Sequence, residues 1–442
     1  MTASIEEQYL EAFSALAPQG DPAWLLARRR MARDIFAAAG FPHRRVEAWR
    51  YTDLRRALAK EGYVPAQRYD GPLAYDVETV GPGAAAFGDV ERHMLVCVNG
   101  FFRPDLSSAD LPDGVSVKPL SEAVKETGFE DFLTTDDNLH PVNALNSALM
   151  QDGLVIRVEA GKDAGKPLHM VHVTTSAGAS AAHMRHVIAL EEDAKLCLLE
   201  THLGQGGAGY LANHVTETHL GEGAALTHIK LQDEAKDALH VAANNLRLAA
   251  NAKYYGFVLA LGARLSRHET DAVFKGEGAH ADMHGALALR GKQLGDISTY
   301  VDHAVPGCSS NAHVKSVLDE EATGVFQGRV LVAKDAQKTD GRQLSNALLL
   351  SRDAGMNAKP ELEIYADDVQ CAHGSTIGEL DGTALFYLRS RGIDEATARS
   401  LLIRAFLDEV LETIPLDGVK QDIGSQIDVW FRASALAGSE TR

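Results

Sequence analysis

Between residues 153 and 370 one short apolar run follows another, with no amphipathic helix of useful length between them. The runs at 154–158, 169–173, 186–190, 195–200, 225–231, 254–259, 287–290, 324–332 and 347–350 carry much period-two alternation and are bounded by turn residues, as strands are. A βαβ layout needs helices between its strands, so the pattern argues against it. A weak repeat runs through the same stretch. A small or acidic turn followed by alanine precedes a strand at Ala194, Ala224, Ala252, Ala279, Ala322, Ala336 and Ala354. Its spacing is irregular, often close to ~14 or ~28 residues, as expected of one or two turns of a solenoid. In such a stack each coil buries its inner face only against its neighbours. A β-sandwich produces similar strands, but the repeat runs on too long for one sandwich. The pattern therefore predicts a mainly β protein with a parallel β-helix core.

The flanks read as helical. Ile5, Tyr9, Phe13 and Leu16 recur at helical spacing until Pro18-Gln19-Gly20-Asp21-Pro22 breaks the run. A second helix carries Trp24, Leu25, Met31, Ile35 and Phe36 to a stop near Gly40. At the other end Asp394 is a good N-cap for a helix bearing Ala398, Leu401, Leu402, Ala405, Phe406 and Val410, and Pro415 ends it. A last helix presents Ile423, Ile427, Trp430 and Phe431. Open solenoid ends expose unpaired backbone, so these helices are expected to cap them. The expected organisation is a helical domain over 1–65, a mixed α/β lead-in over 66–152, the β-helix over 153–370 and a C-terminal helical domain over 371–442.

Composition narrows the function classes. A hydrophobic share of 45% allows a sizeable core, while 43 Lys and Arg against 61 Asp and Glu give a formal net charge of −18. That balance disfavours nucleic-acid phosphates and anionic lipid as partners. Arg28-Arg29-Arg30 reads as a solvated helix face rather than a basic patch. No apolar run approaches the ~20 residues that cross a bilayer, and no basic segment leads into an apolar one at the N-terminus. A soluble cytoplasmic protein is expected. Cys97, Cys197, Cys308 and Cys371 lie far apart without a C-x-x-C pair, which argues against a zinc finger, a ferredoxin motif and a disulfide framework.

The densest chemical cluster is Asp367-Asp368-Val369-Gln370-Cys371-Ala372-His373-Gly374. In an extended segment Cys371 and His373 share a face, and thiolate and imidazole suit iron or zinc. Two ligands make half a site, so a metal or sulfur role and a structural turn both stay open, and a second protein could supply the rest across an interface. The 18 histidines are spread over many strands. At period two His169 and His172 face opposite ways, and these two, with His183, His186, His214 and His219, are expected to be surface-facing or satisfied rather than part of a metal centre. Cys308, close to His303 and His313, could pair with a histidine as a nucleophile, but nothing specifies an orienting third residue. No G-x-x-x-x-G-K-[ST] loop exists, so the chain is not expected to hydrolyse ATP, and the glycine-rich 204–209 reads as a loop joining two strands.

Lys359-Pro360-Glu361-Leu362-Glu363-Ile364-Tyr365-Ala366-Asp367-Asp368-Val369, Cys371-Ala372-His373-Gly374 and Ala384-Leu385-Phe386-Tyr387-Leu388-Arg389-Ser390-Arg391-Gly392, preceded by Leu348-Leu349-Leu350-Ser351, closely resemble the SufB/SufD family. Glu47-Ala48-Trp49-Arg50-Tyr51-Thr52-Asp53-Leu54, with the N-terminal helices, looks more like its SufD branch than its SufB branch. The resemblance implies a right-handed parallel β-helix between helical domains, serving as a non-catalytic scaffold in iron–sulfur cluster assembly. It implies edge-to-edge pairing with a SufB-type paralogue. It also implies docking of a SufC-type ABC ATPase on the C-terminal helical domain, with Phe386, Tyr387, Leu388, Arg389 and Arg391 as candidate contacts. His373, and less directly Cys371, fall where the family builds the nascent cluster, so His373 is a candidate transient metal ligand. No intrinsic cofactor is implied: the cluster is cargo at the SufB interface, and ATP belongs to SufC. The cysteine that accepts the cluster in SufB has no clear equivalent here. Two alternatives compete. One is a pectin-lyase-like carbohydrate enzyme, weakened by the missing signal peptide and the 6% aromatic content. The other is a homodimeric scaffold working alone.

Overall fold

A computed structural model describes residues 4–16, 20–59, 64–73, 86–134, 140–175, 179–204 and 209–437. The expected break at Pro18-Gln19 and most of the glycine-rich 204–209 lie outside the described residues.

Two ten-stranded sheets form the walls of a parallel β-solenoid of about 7 turns. Successive strands alternate between the walls, so each coil adds one strand to each. Lys195, Ala225, Lys253, His280, Ser309, Asp340 and Gln370 stack in one column, one coil apart, with parallel pairing throughout.

The turn-plus-alanine repeat is the corner of each coil. Asp193, Gly223, Asn251 and Gly278 have left-handed backbones, and each is followed by a buried alanine: Ala194, Ala224, Ala252 and Ala279. A residue with positive φ swings the chain round, and only a small side chain fits inside so tight a bend. Gly307 repeats the geometry, and there the small residue is Cys308. Its thiol donates to the Gly276 carbonyl at 3.3 Å. His303 hydrogen-bonds Ser310 and His313 hydrogen-bonds Asn346, so no Cys308–histidine pair forms. Cys308 is a corner filler.

The helices lie elsewhere than expected. Instead of covering the ends, they lie on the outer faces of the two walls. Helices Ile5–Leu16, Ala23–Ala39 and Pro141–Leu149 bury Tyr9, Phe36, Leu145 and Leu149 against Ala181, Leu211, Leu239, Val241 and Leu265 of one wall. Helices Glu395–Leu411 and Asp417–Ala437 bury Ile403, Leu407, Val410, Ile423 and Ile427 against Leu199, Ile229, Leu231, Phe257 and Leu259 of the other. Strand alternation leaves every second side chain on the outside, and these outward leucines, isoleucines and phenylalanines give the helices an apolar face to bury against. Asp394 caps its helix as expected, accepting from the Thr397 amide at 3.0 Å.

The first coil is closed by strands that turn back: Phe101–Phe102 and Val115–Pro119 pair antiparallel with their neighbours. The last coil consists of Gly355–Ile364 and Gln370–Gly378, each ending its sheet. The solenoid thus runs through Gly378, past the expected boundary at 370, because Cys371 and His373 belong to its last strand.

Residues 47–52 run as a strap along one wall. Arg267 covers the buried ring of Trp49 at 4.2 Å, Thr52 donates to Asp296, Gln327 donates to the Ala48 carbonyl, and Lys359 meets Glu47. Arg29, expected on a solvated face, is buried. It donates to Asp21 and to the carbonyls of Ala148 and Met150, and so ties its helix to the end of Pro141–Leu149.

Candidate functional site

The register fixes where the sequence-predicted site residues lie. Cys371 stands over Gly341, His373 over Gln343 and Ile377 over Ala347, all three buried one coil below. This row faces the lumen, but in the last coil nothing in the described chain covers it. Cys371 is half-buried against the apolar interior, and burial pushes its thiol above the usual value. His373 is exposed, as is Ile377, with Ile364 and Tyr365 exposed at the end of the neighbouring strand. Among the described residues no cluster of three metal-ligating side chains includes Cys371 or His373. Chemically the pair is half a ligand set beside an unpaired strand edge with an apolar rim.

The ATPase-docking candidates lie on helix Gly382–Ser390, which buries none of its residues, and at its C-cap, Arg391. Phe386 is 73% exposed and Tyr387 56% exposed. Arg391 lies over the Tyr387 ring at 5.1 Å and donates to its hydroxyl, while Arg389 pairs with Glu395. The helix offers solvent a paired aromatic patch edged by arginines.

The expectation that the scattered histidines are surface-facing or satisfied is corrected for the lumen. His172, His202 and His214 are buried there within reach of one another, with ring centroids 4.5 to 4.8 Å apart. His186 and His240 adjoin them. The opposite facing of His169 and His172 follows the period: His169 meets Thr201 and the Phe87 ring instead. Convergence comes from stacking between coils. Burial pushes His202 down to about 4 and holds His172 and His214 well below the ordinary imidazole value, so all three are neutral at pH 7. Glu200 is also fully buried. Burial opposes its ionisation, but Lys230 at 3.2 Å, His202 at 2.6 Å and His228 at 2.7 Å outweigh that and keep it a carboxylate. Sequence reasoning singled out neither Glu200 nor His202. The usable signals were their i, i+2 spacing, which puts both on one face, and the coil-length interval that sets His202 over His172.

This architecture defines a β-solenoid scaffold with an open end. The family model described as the SUF system FeS cluster assembly SufBD core domain matches residues 172–406, and that of the SufBD protein N-terminal region matches 3–170. The chain belongs to the SufBD family. It is 34% identical to an iron–sulfur cluster assembly SufBD family protein of Synechocystis, over 89% of this chain and 88% of that one. It is 31% identical to the iron–sulfur cluster assembly protein SufD of Escherichia coli, over 88% and 89%, and 25% identical to the SufD of Bacillus subtilis, over 96% and 98%. Neither the family models nor these relatives point to a polysaccharide-active enzyme. No described helix is long and apolar enough to cross a membrane.

Proposed function

We propose that this chain is a SufD-like subunit of a cytoplasmic iron–sulfur cluster assembly complex, acting as a non-catalytic scaffold. The carrying observation is the last coil: an unpaired strand edge, an apolar rim at Ile364, Tyr365 and Ile377, and a lumen row that leaves His373 exposed. A second solenoid of the SufB type, added end to end, would satisfy that edge and bury the rim. It would also bring further thiolates or imidazoles to His373 and Cys371, completing a ligand set for a transient cluster, which is cargo and not a resident cofactor. A SufC-type ATPase would dock on Phe386, Tyr387, Leu388, Arg389 and Arg391, which supports placing ATP chemistry in the partner. Closure of that ATPase could be transmitted through the C-terminal helices to the wall they cover.

The test is co-purification of tagged wild type and His373→Ala with SufB- and SufC-type partners, followed by anaerobic cluster reconstitution read by visible absorbance. The expected result is intact complexes in both cases and loss of cluster in the variant. A wild type that binds neither partner overturns the reading. The same unpaired edges support a second reading, a homodimer through the last coil when no paralogue is present.

A further inference from the structure

We infer that His172, His202 and His214 form a binding site for one borderline divalent transition-metal ion, of the Fe(II) or Zn(II) class, inside the solenoid and separate from its open end. His172 on strand Leu168–Thr174 and His202 on Lys195–Gly204 stand in register on one wall, and His214 on Tyr210–Leu220 reaches them from the other. One ligand nitrogen from each lies within 4.8 Å of the other two. Tetrahedral coordination at 2.0–2.1 Å sets such nitrogens about 3.4 Å apart, so closing the set takes ring movements of roughly an ångström. It also takes a tilt of the His172 and His202 rings, which here are stacked at 14°.

The hydrogen-bonding state of the rings points the same way. Among the described residues neither nitrogen of His172, nor Nδ1 of His214, has a hydrogen-bond partner. Buried polar atoms are ordinarily paired, and three imidazoles turned on one another, two of them with bare nitrogens, suit a cation better than apolar packing. Bare nitrogens are not confined to these rings: among the described residues both nitrogens of His268 and one each of His183, His186 and His303 are also unpaired. Through the other nitrogen His183 meets Asn213, His186 accepts from the Leu154 amide and His303 meets Ser310. What sets His172, His202 and His214 apart is that their ligand nitrogens converge. Glu200 stands behind His202 at 2.6 Å, the carboxylate–histidine arrangement that fixes the orientation of a ligand ring. Three strands from two successive coils supply the ligands, so the site is complete only once these coils have closed, and an ion would be taken up as the chain folds. The inference does not rest on the assembly reading, and His373→Ala should leave it untouched.

Cobalt(II) supplied during expression of the full chain is the probe. Metal content, visible d–d absorption and X-ray absorption fine structure are measured on the purified protein. About one cobalt per chain, in a four-coordinate site with scattering from three imidazoles, is expected. His172→Gln and His214→Gln should lose it, Glu200→Gln should weaken its retention about 10–100-fold, and His183→Gln, equally buried, should keep it. A wild type without cobalt, cobalt in an oxygen-rich octahedral site, equal retention by His214→Gln, or equal loss from His183→Gln each overturns the inference. Should the ligand variants fail to fold by circular dichroism, the imidazole count in wild type decides, and fewer than three overturns it.

Discussion

At the first coil the sheets turn back on themselves: Phe101–Phe102 and Val115–Pro119 run antiparallel and stop the stack. Helix Pro141–Leu149 is then pinned to it, with Asn146 donating to the carbonyls of Met184 and Asn213. At the last coil Gly355–Ile364 and Gln370–Gly378 run parallel to their neighbours and, among the described residues, have one side unpaired. The walls and coil pitch are the same at both ends. What differs is the edge itself: at the first coil it is two short antiparallel strands of 2 and 5 residues, at the last two parallel strands of 10 and 9 residues. Long, regular edges are liabilities unless covered and short ones much less so, which is why the proposed function places the partner at the end beside His373.

Substitutions of one kind at the two ends should separate them most. Arg185, near the closed end, is buried in an ion pair with Glu217 and donates to Ser147 at 2.7 Å. Arg185→Met leaves Glu217 with only Thr134 and Asn245 and should cost about 3–5 kcal/mol in denaturant unfolding. Arg342→Met at the open end removes an exposed pair with Asp340 and should leave the midpoint where it was; equal losses at both sites would abolish the distinction.

Next in size is association. Ile377→Asp should barely alter stability, since its side chain is 52% exposed, yet should prevent end-to-end pairing in light scattering and in pull-down with a SufB-type partner. Retained pairing would move the interface elsewhere.

Thiol labelling gives a graded contrast. Cys371 should react first with iodoacetamide, and its rate should keep climbing above pH 9.0, because burial raises its thiol above that ordinary value. Cys97, fully buried at the closed end with its thiol raised further, should stay protected until global unfolding. Fast labelling of Cys97 would mean that the first coil opens as readily as the last.

The smallest effect lies midway along the stack. His280 meets Asp282 at 2.9 Å, and that hydrogen bond raises its pKa above the usual 6.5. Its contribution should be complete below about pH 6.5 and fade as pH rises through the folded value. His280→Gln should remove that slope from a stability–pH profile, and an unchanged slope would assign it to another group.

Much of this was legible in the chain because its determinants are local. Strand alternation, the turn followed by Ala194, Ala224, Ala252 and Ala279, and the Asp394 cap each depend on a few neighbouring residues. The placement of the helices was not legible, since outward residues such as Leu199 and Phe257 look like any other strand residue until the register is known. Cys371 and His373 could be set on one face by period two, but their lack of cover depends on which coil is last. The convergence of His172, His202 and His214 depends on register between strands, which pairwise periodicity along one strand does not carry. The antiparallel strand Val115–Pro119 was missed because its pairing with Leu154–Val158 spans a stretch with weak patterning.

The strap at Glu47, Ala48, Trp49 and Thr52 finds its contacts at Lys359, Gln327, Arg267 and Asp296, hundreds of residues downstream. A ribosome therefore delivers this segment long before the residues that hold it. The coils can stack in order as they emerge, while residues 47–52 must wait for the later ones before they settle. Their docking is a late event in biosynthesis, and a nascent chain cut short before Lys359 would lack the outermost of those contacts.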